Sequence, residues 1–199
     1  MEYMGYGRCS TILILELMPT DYVNILIKLA EVRNPVESPK ANDWNKIEAD
    51  FGFSFPQDYK DLVTSFGSGE FGVGLCFRSP IDASEYNILS PEAVVRHFEP
   101  VIDMKEDAKL QLYPDPFGAV VIGTIDRQDF LLRPDKTGKK LVDLVWWDID
   151  TGEVKELEMS ISRFVHDLYC GKLHEAWAIE LRDYIWRNGT APLFTQRDG

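Results

Sequence analysis

Two pairs of aspartates, Asp126 with Asp129 and Asp148 with Asp150, come closest to a catalytic arrangement in this chain, because glycoside hydrolysis uses two carboxyls flanking one bond. Both pairs fall between runs that read as strands, where aspartate is favoured for its hydrogen bonds to nearby backbone, so a turn role outweighs acid catalysis. Residues 67–72, G-S-G-E-F-G, spell a literal G-x-G-x-x-G. A dinucleotide site needs that motif after a strand and at the start of a helix, where amides meet the pyrophosphate. Here a helical pattern precedes it, a strand pattern follows, and Glu70 would set negative charge beside any phosphate. His97, His166 and His174 share no metal-ligand spacing, and no G-x-S-x-G elbow is present. Cys9, Cys76 and Cys170 form an odd set with no C-x-x-C pair, which argues against a disulfide framework and fits a reducing cytoplasm. Cys76 and Cys170 read as small core residues. The residues therefore predict a non-enzyme with no metal and no cofactor.

The elements that must position these side chains follow from periodicity. A helix opens at Pro19, with Tyr22, Ile25, Leu26 and Leu29 on its apolar face. Asp43 caps a second, which turns Trp44, Ile47 and Phe51 inward and stops at Gly52. Pro56 starts a third, with Tyr59, Leu62, Val63 and Phe66 on one face and Gly67 at its end. From Phe71 the period becomes two, setting Phe71, Val73, Leu75 and Phe77 opposite Gly72, Gly74 and Cys76, a glycine face that something must approach closely. Ser90 and Pro91 open a helix through His97. Strands are expected over 119–125, 130–133, 141–149 and 153–159, joined by hairpin turns. Ser160 caps a helix with Ile161, Phe164, Val165 and Leu168 inward, and a last helix aligns Leu173, Trp177, Leu181 and Ile185. The fold class is thus α+β, one domain of largely antiparallel sheet flanked by helices. Residues 1–17 stand apart as an N-terminal extension, either upstream of the native start at Met18 or forming an added strand at 12–15. Residues 173–189 form an added C-terminal helix, and residues 190–199 are expected to fray.

Residues 44–69, W-N-K-I-E-A-D-F-G-F-S-F-P-Q-D-Y-K-D-L-V-T-S-F-G-S-G, carry a resemblance. Trp44, Ile47, Glu48, Gly52, Pro56, Tyr59, Lys60, Gly67 and Gly69 match the opening signature of the SUKH superfamily. Downstream, Tyr113-Pro114, residues 117–123, Asp129-Phe130 and the strand through Trp146-Trp147 look like that family's sheet in the same order. The resemblance spans about residues 20–172. It implies a protein-binding module of the kind found in bacterial immunity proteins, which neutralise toxins including nucleases, or in fungal cell-wall assembly regulators. Most of its residues also suit purely structural roles on helix faces and caps.

The charge pattern suggests what such a module would bind. The 199 residues carry 33 acidic and 21 basic side chains, a net charge of −12, which disfavours nucleic acid and suits a basic partner. Half of that excess lies over residues 43–99, where ten carboxylates face four Lys or Arg. Glu70, Asp82 and Glu85 are the candidate acidic rim, and Phe71 or Tyr86 the candidate aromatic anchor. The apolar run 11–17 is short and broken by Glu16, so neither a signal peptide nor a membrane span is expected. Taken together, the residues and the resemblance point to a cytoplasmic immunity protein that occludes a cognate toxin, or alternatively to a regulatory scaffold.

Overall fold

A computed structural model describes residues 18–31, 34–101, 109–187 and 190–196, so the expectations for residues 1–17 lie outside the described residues. Helix α1, Pro19–Ala30, opens with the Asp21 carboxylate accepting from the Met18 amide at 2.9 Å. Its buried residues are Val23 and Leu26, whereas Leu29 is exposed, so the helix is rotated from the expected face. The segment carries two overlapping apolar stripes, and packing against two other helices selects the one through Val23, Leu26 and Ile27. Helices α2, Ala41–Phe51, and α3, Gln57–Phe66, bury the expected Trp44, Ile47, Phe51, Tyr59, Leu62, Val63 and Phe66.

The main sheet is antiparallel in the order β2 (Cys76–Phe77), β3 (Val120–Ile125), β4 (Gln128–Pro134), β5 (Leu141–Asp148), β6 (Val154–Leu157). The strand signals thus gave the sheet in its correct sequence, and the α+β class holds. The β3–β4 hairpin is tighter than expected, with only Asp126 and Arg127 between the strands. Asp129 is therefore a strand residue, fully buried, and not a turn aspartate. Asp148 does serve its turn, accepting from the Thr151 amide at 3.0 Å. Helix α4, Pro91–Phe98, is capped by Ser90 as its sequence indicates.

Helices α5, Ile161–Tyr169, and α6, Ala176–Ile185, pack on the sheet through aromatic rings. Phe130 and Trp146 are cross-strand neighbours; Phe130 meets Phe164 of α5 at 5.2 Å, and Trp146 stacks on Trp177 of α6 at 4.8 Å. The last helix begins three residues later than its apolar stripe suggested, leaving Leu173 in the connection. Residues 190–196 do not fray: strand β7, Phe194–Gln196, pairs antiparallel with β1, Gly69–Phe71, to form a second small sheet. Cys170, just past α5, is half-buried and disulfide-bonded, where three unpatterned cysteines gave no reason to expect a bridge.

Near the end of α5, Asp167 accepts from His166 Nδ1 at 2.8 Å and Arg163 Nε at 3.1 Å. Burial works against this carboxylate, yet those bonds and the charges of His166 and Lys172 hold it below the usual range. A depressed native value stabilises the fold above the unfolded value, near pH ~4, and that stability is lost as pH falls through the native one. Asp167→Asn should therefore weaken the protein at neutral pH and flatten the acid limb of its stability curve, as measured by urea unfolding across a pH series.

Candidate functional site

The literal G-x-G-x-x-G runs from the end of α3 through β1, and the seven-residue strand expected over 71–77 is broken by a tight turn at residues 72–74. The Phe71 amide bonds the Leu75 carbonyl at 2.8 Å, and Gly72 and Gly74 hold φ of +59° and +86°, conformations that cost an L side chain strain. What approaches the glycines is the chain's own C-terminal region. A Cβ on Gly69 would lie 2.3 Å from the Phe194 ring, and one on Gly72 would lie 2.4 Å from the Ile185 carbonyl oxygen. The Gly72 amide donates to Leu193 at 3.0 Å and the Val73 amide to Ile185 at 2.7 Å. Glu70 is spent locally, accepting from the Gly74 amide at 2.9 Å. Phe71 is 2% exposed, in ring contact with Phe66, Phe77 and Phe194, so it is a core residue and no aromatic anchor. Glycine recurs here because backbone and ring must touch, a reason blind to nucleotides.

The other expected contact residues lie on a loop, 79–90, whose neck is closed by Ser79 donating to Asn87 at 2.8 Å and accepting from Leu89 at 2.9 Å. Asp82 is 4% exposed and faces inward: Oδ1 accepts from the Ser84 amide at 2.7 Å and Oδ2 from Ser68 Oγ at 3.0 Å. Ser68 Oγ also lies 2.5 Å from Glu37 Oε2, which accepts from the Ala83 amide at 3.4 Å. Asp82 is thus a brace, and the structure joins it to Glu37 and Ser68, which the acidic pattern did not single out. Glu85 and Tyr86 stand exposed at the tip, Tyr86 with 84% of its surface open, while its amide bonds Ser84 Oγ.

Beneath the loop runs a buried polar chain. Tyr59 Oη donates to the Arg78 carbonyl at 2.6 Å, Arg78 Nη1 donates to the Ile88 carbonyl at 3.3 Å, and Arg78 Nη2 lies 3.0 Å from His97 Nδ1. His97 Nε2 is 2.8 Å from Asp129 Oδ2. A guanidinium only donates, so His97 Nδ1 must accept and Nε2–H must donate to Asp129. Burial pushes Arg78 below its usual range, and the Asp129 carboxylate opposes that push; burial alone raises Tyr59. This arrangement holds a loop in shape; it leaves no nucleophile beside a base. Among the described residues no group of His, Cys, Asp and Glu could hold a metal ion, and no helix is long and apolar enough to cross a membrane.

The SMI1 / KNR4 family (SUKH-1) profile matches residues 38–167, about two thirds of the chain. The chain belongs to the SMI1/KNR4 family. No curated protein and no solved structure matches it. Inside the SMI1/KNR4 region, the expected signature residues do structural work. Trp44 Nε1 donates to Thr64 Oγ1 at 3.1 Å, and Glu48 Oε1 accepts from the Phe55 amide and Lys60 Nζ, both at 2.9 Å. Ile47 is buried, Gly52 and Gly67 end their helices, Pro56 precedes α3, and Tyr59 supports Arg78. Helix α1 and the covering pair α6 and β7 lie outside the matched region, so the surface over Gly69 and Gly72 is supplied by this chain's additions.

Proposed function

We propose that this protein is an immunity-type binding protein that neutralises a cognate toxin by occluding it, without catalysis or cofactor. One observation carries the reading. Tyr86 is almost wholly exposed on a loop braced from below by Asp82, Ser68, Arg78 and Ser79. A large aromatic side chain on a preorganised loop costs little to order on binding, which makes it a natural anchor. Glu85 beside it and the net charge of −12 suit a basic partner.

The test is whether a toxin gene lies beside this one and whether its product co-purifies with this protein. Tyr86→Ala should weaken binding by roughly thirtyfold, about 2 kcal/mol, with the melting temperature unchanged because the side chain is 84% exposed. Full affinity in that variant would remove the loop from the interface, and absence of any toxin binding by the parent would sink the immunity reading. A regulatory scaffold is the second reading, favoured by a separate exposed apolar site at Phe117 and Val142. It predicts binding to several proteins without inhibition of any.

A further inference from the structure

We propose that the cavity beside the N-terminus of α5 receives one arginine side chain of a basic protein partner; the partner, though not the cavity, rests on the function proposed above. The cavity measures about 230 Å³, enough for one long side chain, and lies between α3, the sheet and the connection from β6 to α5. Its lining includes Leu144, Leu157 and Met159 together with the acidic residues Asp58, Asp143 and Glu158, and no basic residue.

Each carboxylate has capacity left for a cation. Asp58 is 6% exposed, and its Oδ2 accepts from the Ser162 amide at 3.2 Å and Ser162 Oγ at 3.1 Å. Its Oδ1 has no hydrogen bond among the described residues. Nor is that oxygen sealed off, because the fully buried unpaired side-chain polar atoms there are Arg78 Nε and Trp147 Nε1. Glu158 is exposed with no ion pair among the described residues. Asp143 shares Arg133 at 3.4 Å with Glu156, which holds it more closely at 2.8 Å. Aliphatic residues sharing one lining with a buried Asp58 and exposed Asp143 and Glu158 complement a side chain that is apolar along its stem and cationic at its tip. Arginine fits better than lysine, since its planar fork donates to several carboxylates at once and sheds water more readily.

The experiment is a methyl-NMR titration of the full chain with N-acetyl-arginine methylamide and with the citrulline analogue, which keeps the shape and loses the charge. The arginine probe should shift the Met159 and Leu157 methyls saturably at roughly millimolar concentration, with the citrulline probe about tenfold weaker. Asp58→Asn keeps an acceptor for Ser162 and should weaken the arginine probe; Glu158→Gln should do so at a surface position where folding is not at stake. Equal binding of citrulline, no saturable shift up to about 100 mM arginine probe, or indifference to both substitutions would overturn the proposal. No toxin enters the titration, so failure of toxin binding and failure of the cavity are separate results.

Discussion

Gly67→Ala is expected to cost about 3 kcal/mol of stability, the largest penalty of any glycine-to-alanine change in the helix caps. Gly67 holds φ +66° and ψ −150°, a region essentially closed to residues with a Cβ. The added methyl would also sit 2.0 Å from the Val36 carbonyl oxygen, a backbone atom that cannot rotate aside. Moving residues 36 and 37 would break the bond from the Ser68 amide to Val36 at 2.8 Å and shift Glu37 away from Ser68 and Ala83. The damage would therefore reach the brace under Tyr86. Gly52→Ala is the control: Gly52 caps α2 at φ +80° with nothing within 4 Å of a Cβ, so only the left-handed backbone is penalised, by about 1 kcal/mol. Urea unfolding of both variants decides the matter, and equal losses would show that the Val36 contact is slack.

These two glycines also show how far the sequence could be read. Both were identified as helix ends from their place after an apolar stripe, since a helix stop is a local matter. The contact with Val36 was not legible, because nothing in residues 67–69 says which distant carbonyl lies above them. The same division holds elsewhere. Faces of α2, α3 and α5 followed from spacing, but α1 offered two stripes, and only its neighbours chose between them. Alternation over 71–77 imitated a strand, while the glycines within it were serving a turn and the approach of Ile185 and Phe194. Phe194 itself sits in a short polar tail whose burial depends on a groove built about 120 residues earlier. The acidic count could not separate Asp82, turned inward, from Glu85, turned out. Arg78 and Asp129 gave no sequence signal as a pair, since 51 positions part them and nothing near Asp129 in the chain points to Arg78.

That pair gives the other large expected effect. Asp129→Ala should cost about 4 kcal/mol, because it strands the His97 Nε2–H and leaves the buried Arg78 guanidinium, linked to Asp129 through His97, without the charge that compensates it. Arg78 and Asp129 are both nearly inaccessible, and His97 joins them with its Nε2–H directed at Asp129. Asp129→Asn keeps an acceptor for that N–H and loses only the charge, so a smaller penalty of about 2 kcal/mol is expected. The two variants thereby divide the bond from the charge. A double variant, Asp129→Ala with Arg78→Met, should recover part of the loss by removing the stranded guanidinium, although the bond from Arg78 Nη1 to Ile88 goes with it. Loop and stability then part company: the Ser79 and Leu89 amides should exchange faster in the double variant than in a parent matched for global stability, since the neck has lost its support. If Asp129→Ala stayed within about 1 kcal/mol of the parent, the chain beneath the loop would be incidental packing. If exchange at Ser79 and Leu89 merely tracked global unfolding, Arg78 would hold the fold and not the loop, and Tyr86 would owe its position to Asp82 and Ser68 alone.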